Sequence, residues 1–156
     1  MVNSGTITVG EEGVAVTTLG AERARELFAA ARVARLATAD GDGRPHLVPI
    51  VFVVAGETIF TAVDAKPKRT QALRRLANVE VNPAASLLVD HYDDAEWSAL
   101  YWARADGRGR VLPPAHPQAR EAVQLLTRKY PQHAETPPTG PVLAIDVESW
   151  SGWSHS

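Results

Sequence analysis

A chain of 156 residues with 45% apolar content can build one domain around its own hydrophobic core. It has no cysteine, which excludes a disulfide scaffold, thiolate-held zinc or iron–sulfur centres and a cysteine nucleophile, and its net charge of −2 argues against a general nucleic-acid binder. No apolar stretch approaches the length of a membrane span, and MVNSGTITVGEEG lacks the basic start and apolar centre of a signal peptide, so a cytoplasmic protein is expected.

Residues 1–13 read as a flexible tail, and residues 14–156 as a single domain without internal repeats. Thr17 to Gly20 offer capping residues before AERARELFAAAR, whose Ala24, Leu27, Phe28 and Ala31 recur at helical spacing. Val33 to Ala39 alternates as a strand does, and Asp40-Gly41-Asp42-Gly43 is turn chemistry leading to Pro45. Pro45 to Val54 is an almost unbroken apolar run and reads as one buried strand. Leu47, Pro49, Val51 and Val53 share one face, and Val48, Ile50, Phe52 and Val54 the other, so a second layer, a partner subunit or a flat ligand must cover the second face. Pro49 has no N–H and belongs at an edge or an interruption of the ladder. Thr58 to Ala62 completes a hairpin.

The chain then turns basic. Lys66, Lys68, Arg69, Arg74 and Arg75 place five positive charges in ten residues, with Lys68 and Arg69 at the start of a helix expected over 69–77. Free N–H groups and the helix dipole favour an anion there, against the plainer reading of a solvated helix face. Val79 to Asn82 reads as a short strand or link, Ser86 to Val89 as a strand, and DHYDDAEW as a polar turn whose spacing fits no calcium or zinc motif. Leu100 to Ala105 and Arg110 to Leu112 read as strands on either side of an Asp106-Gly107 turn. His116-Pro117 opens a helix that ends before Pro131. Gln132 to Pro141 is a proline-rich loop, and Val142 to Val147 is the last strand, ahead of Trp150-Ser151-Gly152-Trp153. His46 is the one polar side chain between Pro45 and Val54, with no acid–base partner near it in sequence; His116 and His133 look incidental. Periodicity points to a small, mainly antiparallel barrel with helices. No nucleophile elbow, P-loop or dinucleotide fingerprint occurs.

LATADGDGRPHLVPIVFVV, IFTAVDAKPKRTQALRRLANVEVNP and LLVDHYDDAEWSALYWARADGRGRV, in that order, resemble the pyridoxamine 5′-phosphate oxidase-like split-barrel flavoproteins. The similarity runs from about Ala21 to Trp153 and is greatest to the branch of PPOX-class coenzyme F420-dependent oxidoreductases. The resemblance implies a homodimeric split β-barrel with cofactor sites at the subunit interface. It places a tricyclic ring along His46, Val48, Pro49 and Ile50, and a phosphate at Thr61, Ala62, Lys66, Lys68 and Arg69. Trp150 would reach the cofactor from the other subunit. The oxidases continue with an arginine segment that grips pyridoxal phosphate; this sequence stops at Ser156 without it, so another substrate is expected.

The implied function is an F420-dependent oxidoreductase passing a hydride between the deazaflavin and an unidentified small molecule, with no catalytic side chain required of the protein. Flavin mononucleotide (FMN) is the alternative cofactor. Arg74 and Arg75 lie beyond the phosphate positions and would suit the longer acidic tail of F420. A non-catalytic cofactor- or haem-binding protein is the reading from another class.

Overall fold

The computed structural model describes residues 7–9, 15–63 and 71–155. Lys66, Lys68 and Arg69 lie outside the described residues. Ile7–Val9 (β1), within the segment read as a tail, pairs antiparallel with Ala15–Leu19 (β2), and β2 pairs in turn with the final strand. Helix α1 (Ala21–Ala30) follows Gly20, which keeps an extended backbone at the helix N-cap. Ala24 and Phe28, one turn apart, are both buried in the core.

Strands β3 (Ala34–Ala39) and β4 (Pro45–Ile50) form the expected hairpin. Asp40 Oδ1 accepts the N–H groups of Asp42 and Arg44, each at 2.9 Å, and Gly43 takes φ +81°, where a side chain would be strained. Register pairs Thr38 with His46, Leu36 with Val48 and Ala34 with Ile50, so these side chains face inward while Leu47 and Pro49 face out. As its proline requires, β4 is an edge strand, bonded to β3 alone.

The single strand expected over 45–54 is broken. After Ile50 the chain leaves the ladder, and Val53–Ala55 (β5) pairs instead with Thr58–Ala62 (β6). The reason lies at the break: Tyr130 Oη sits 3.2 Å from Phe52 N and 3.0 Å from the carbonyl oxygens of Phe52 and Arg32. One buried phenol thus satisfies backbone groups that a ladder would otherwise have paired.

Helix α2 (Gln71–Val81) outruns its expected end, because Asn78 does not stop it. The Asn78 amide is buried and donates to Thr38 Oγ1 at 3.1 Å, and Val79, read as strand, packs in the core. Strand β7 (Ala84–His91) pairs with β3 and with β8 (Tyr101–Leu112), and a 3₁₀ turn at Trp97–Ala99 joins them. Asp106-Gly107 is not a turn. Strand β8 runs straight through it, with a bulge against the last strand, β9 (Val142–His155), that leaves Glu148 without an opposite residue. A Cβ at Gly107 would stand 2.2 Å from the Asp146 carbonyl oxygen, so only glycine fits. Helix α3 (Pro117–Lys129) starts at His116, whose Nδ1 accepts from the Gln118 N–H at 3.1 Å, giving that histidine a capping role. Part of the expected loop after it is a short helix, α4 (Pro131–Glu135).

The sheet has nine strands in the order β1-β2-β9-β8-β7-β3-β4, and β6 joins β9 beside β2. Strand β9 therefore forks: its first five residues pair with β6 and its last four with β2, while β8 follows its other edge throughout. Within the described residues no ladder joins β4 to β5 or β6, so the barrel is open along that seam. Phe28, Phe52, Leu36, Ile59, Leu87 and Ile145 fill it, with Leu76 and Val79 of α2 added from one side. A second cluster, Phe60, Leu112, Ala119, Ala122 and Val142, binds α3 to the outside. No described helix is long and apolar enough to cross a membrane.

Candidate functional site

The open seam holds a cleft. Pro49, Ile50 and Val51 from the end of β4, Thr61 and Ala62 from β6, and Arg75 from α2 line a cavity of about 200 Å³, closed on the far side by His133 and Pro138. Four residues assigned to the cofactor from sequence, Pro49, Ile50, Thr61 and Ala62, are thus brought together.

Arg75 gives the cleft its charge. Its Nε is buried and has no hydrogen-bond partner among the described residues, and burial lowers the pKa of the guanidinium from its ordinary value. A buried guanidinium nitrogen without an acceptor is costly, and an anion in the cleft would satisfy it. The residues present therefore fit a phosphate. Thr61, only 2% exposed, departs from its expected part: its Oγ1 donates to the Val51 carbonyl at 2.8 Å. That proton bridges the seam, and the hydroxyl offers the cleft lone pairs rather than a donor.

Three of the sequence assignments, Val48, Trp150 and His46, lie elsewhere. Val48 is half-buried against the core. Trp150 is in the core of its own chain: its ring meets Phe28 edge-on at 5.5 Å, and its Nε1 donates to Glu57 Oε2 at 2.7 Å.

His46 opens onto a second, smaller cavity of about 170 Å³, which it shares with Asp40, Arg44, Pro45, Arg74 and Asn78. Its Nδ1 is buried without a partner among the described residues. Burial, and then the charges of Arg74 and Arg75, hold its pKa below the ordinary imidazole value, so at neutral pH the ring is uncharged. His133, read as incidental in the sequence, lines the cleft. It comes to the cleft because Tyr130, fixed at the strand break, starts α4 beside it, a link across 78 residues that no local pattern announces.

The outer face of β3, β4, β7, β8 and β9 carries a broad apolar groove of about 710 Å³ lined by Leu47, Leu88, Tyr92, Trp102 and Trp153, among others. Leu47 is 69% exposed there. The described residues contain no group of three or more His, Asp or Glu fit to hold a metal ion.

A search of curated protein sequences gives no match. Solved structures do match. A FAD-binding protein from Mesorhizobium loti superposes with TM-score 0.70 at 24% identity, over 90% of this chain and 99% of its own. HutZ, the haem storage protein of Vibrio cholerae, gives 0.65 at 18%, over 88% and 96%. A FAD-binding protein from Mycobacterium smegmatis gives 0.58 at 17%, also over 88% and 96%. At these identities the likeness is one of fold. The family profile described as pyridoxamine 5′-phosphate oxidase matches residues 21–154, nearly the whole chain, and on that match this protein belongs to the pyridoxamine 5′-phosphate oxidase family.

Proposed function

We propose that the protein is an oxidoreductase that uses coenzyme F420, moving a hydride between the deazaflavin and a small reducible molecule. The observation that supports the reading is the buried Arg75 Nε at the seam, a donor with no partner among the described residues and so available to a cofactor phosphate. When bound, the cofactor supplies the hydride chemistry. The chain's own residues bind and orient. Arg75 holds the anionic end, the apolar walls of Pro49, Ile50 and Ala62 exclude water, and the unladdered edge of β4 offers backbone groups to a planar ring lying along it. His46, uncharged at neutral pH, lies on the inner side of the same strand.

A cleft of about 200 Å³ is smaller than the roughly 300–1,000 Å³ that enclose a whole ligand of this size. The ring must then lie outside it and be covered from elsewhere, for which a second copy of the chain packed on the exposed face around Leu47 is the proposed partner. A second reading, storage of a cofactor or haem without turnover, draws on the likeness to the Vibrio cholerae haem storage protein.

Titration of F420 and FMN into the purified protein at low and high salt tests the assignment. F420 is expected to bind more tightly, with a preference that shrinks as salt screens exposed charges, over a Debye length of about 8 Å at physiological ionic strength. Tighter FMN binding at both salts overturns the choice of cofactor and leaves a flavoprotein. Binding of haem and of neither other cofactor makes it a haem protein.

A further inference from the structure

The seam cleft hangs on a residue that does not line it. The Val51–Phe52 peptide unit lies between β4 and β5 and belongs to neither ladder of the described residues. Side-chain hydroxyls hold it at both ends. The Val51 carbonyl accepts from Thr61 Oγ1 at 2.8 Å, and the Phe52 N–H donates to Tyr130 Oη at 3.2 Å. Thr61 and Tyr130 are both buried, so bulk water does not compete for either bond. A peptide unit is planar, and the two bonds together fix its rotation and with it the place of Val51 in the cleft wall.

Tyr130 also carries the facing wall. Its carbonyl accepts the His133 N–H at 3.1 Å, and its ring meets the His133 ring edge-on with centroids 5.8 Å apart. The phenol keeps its own proton for the carbonyl oxygens of Phe52 and Arg32, each at 3.0 Å, and the Arg32 guanidinium lies 4.7 Å from the ring centroid. The ring is thus held over its face and at its oxygen. One residue ties Val51 on one side of the cleft to His133 on the other, and both share the cavity with Arg75.

We infer that Tyr130 is a positioning residue for the cleft: its phenol sets the separation of the Val51 and His133 walls, and so how closely they meet an anion at Arg75. The inference rests on the proposed anion and deepens that reading by naming what holds the site to size. Hydrogen bonds weaken steeply as distance and angle leave the ideal. A wall freed by one lost oxygen therefore costs affinity although every group that touches the ligand is still present.

The test compares the wild-type protein with Tyr130→Phe, which keeps the ring and removes the oxygen. Inorganic phosphate is the probe, followed by the NMR signal of the Arg75 side-chain Nε–H. Urea unfolding measures stability, and crystal structures without ligand measure the separation of the walls. In Tyr130→Phe the walls should move apart and the phosphate dissociation constant should rise about tenfold, the loss of a hydrogen bond read as affinity. An unchanged dissociation constant with a lowered unfolding midpoint is the mark of a tyrosine that serves stability alone, and overturns the assignment. Unmoved walls overturn it whatever the affinity. If phosphate fails to shift Arg75 in the wild type, the anion reading falls, and the wall positions alone decide the positioning role: separated walls uphold it. Thr61→Val covers the case in which Tyr130→Phe does not fold. There Val51 should shift while His133, still held by Tyr130, stays; movement of both walls, or of neither, overturns the assignment.

Discussion

Lys129 holds its charge against partial burial. Its ammonium lies 4.0 Å from the Phe52 ring centroid and donates to the Ala29 carbonyl at 3.2 Å, while Arg32 returns a 2.8 Å bond to the Lys129 carbonyl. Burial, followed by the charge of Arg32, lowers its pKa from 10.5 to about 8. Between those values the unfolded chain holds a proton that the folded one has released, so stability should rise with pH through that window. Below about 8 the charge is retained at a cost. Lys129→Gln keeps a donor and removes the cation; urea unfolding at pH 7.5 and pH 10 should show wild type gaining on the variant at the higher pH. A constant difference between the two proteins would refute this. At the same scale, the basic cluster was visible in the sequence, but the divergence of Arg74 from Arg75 was not, because it depends on where α2 sits on the barrel. Trp150 was visible as a large aromatic, and only packing shows that Phe28 and Glu57 engage it within its own chain.

Elements were legible where local chemistry and tertiary context agreed. The β3–β4 hairpin, the edge position of β4, and α1 and α3 all followed from turn residues, proline and periodicity. They were misread where partners overruled local signals. Asp106-Gly107 is a strong turn signature, yet β7 and β9 hold β8 on both sides and turn the same dipeptide into a bulge. This gives a prediction. Gly107→Ala places a methyl against the Asp146 carbonyl, and Asp146 also anchors Arg110 at 2.8 Å and Thr58 at 3.0 Å, so the backbone there has little room to move. A loss of about 1–3 kcal/mol in urea unfolding is expected, the usual range for overpacking. An unchanged midpoint would mean that the bulge relaxes freely.

For the molecule as a whole, the apolarity of both faces of Pro45 to Val54 called for a cover, and among the described residues none lies over Leu47 on the outer face of β4. Leu47 remains 69% exposed beside the groove of Leu88, Trp102 and Trp153. Sedimentation should therefore give twice the 16.8 kDa chain mass at micromolar concentration, and Leu47→Glu should shift it toward the monomer. A wild-type monomer at that concentration would remove the proposed partner and leave the ring-bearing side of the cleft in water. Sequence patterns report apolarity but not what covers it, so the identity of a cover was not legible in the residues.

The forked strand also bears on how the protein is made. β9 is ninth in chain order, yet β2, β6 and β8 all pair with it, so ladders begun by early segments wait for one late segment. During synthesis at about 5–20 residues per second, the edges of β6 and β8 stand unsatisfied until residues 142–155 have left the ribosome. Closure is then dominated by contacts distant in sequence, which makes it slow and leaves nascent chains open to pairing with one another. Arrested chains that lack β9 should accordingly be captured by chaperones or aggregate, while release of the full-length chain lets the barrel form in a single concerted step.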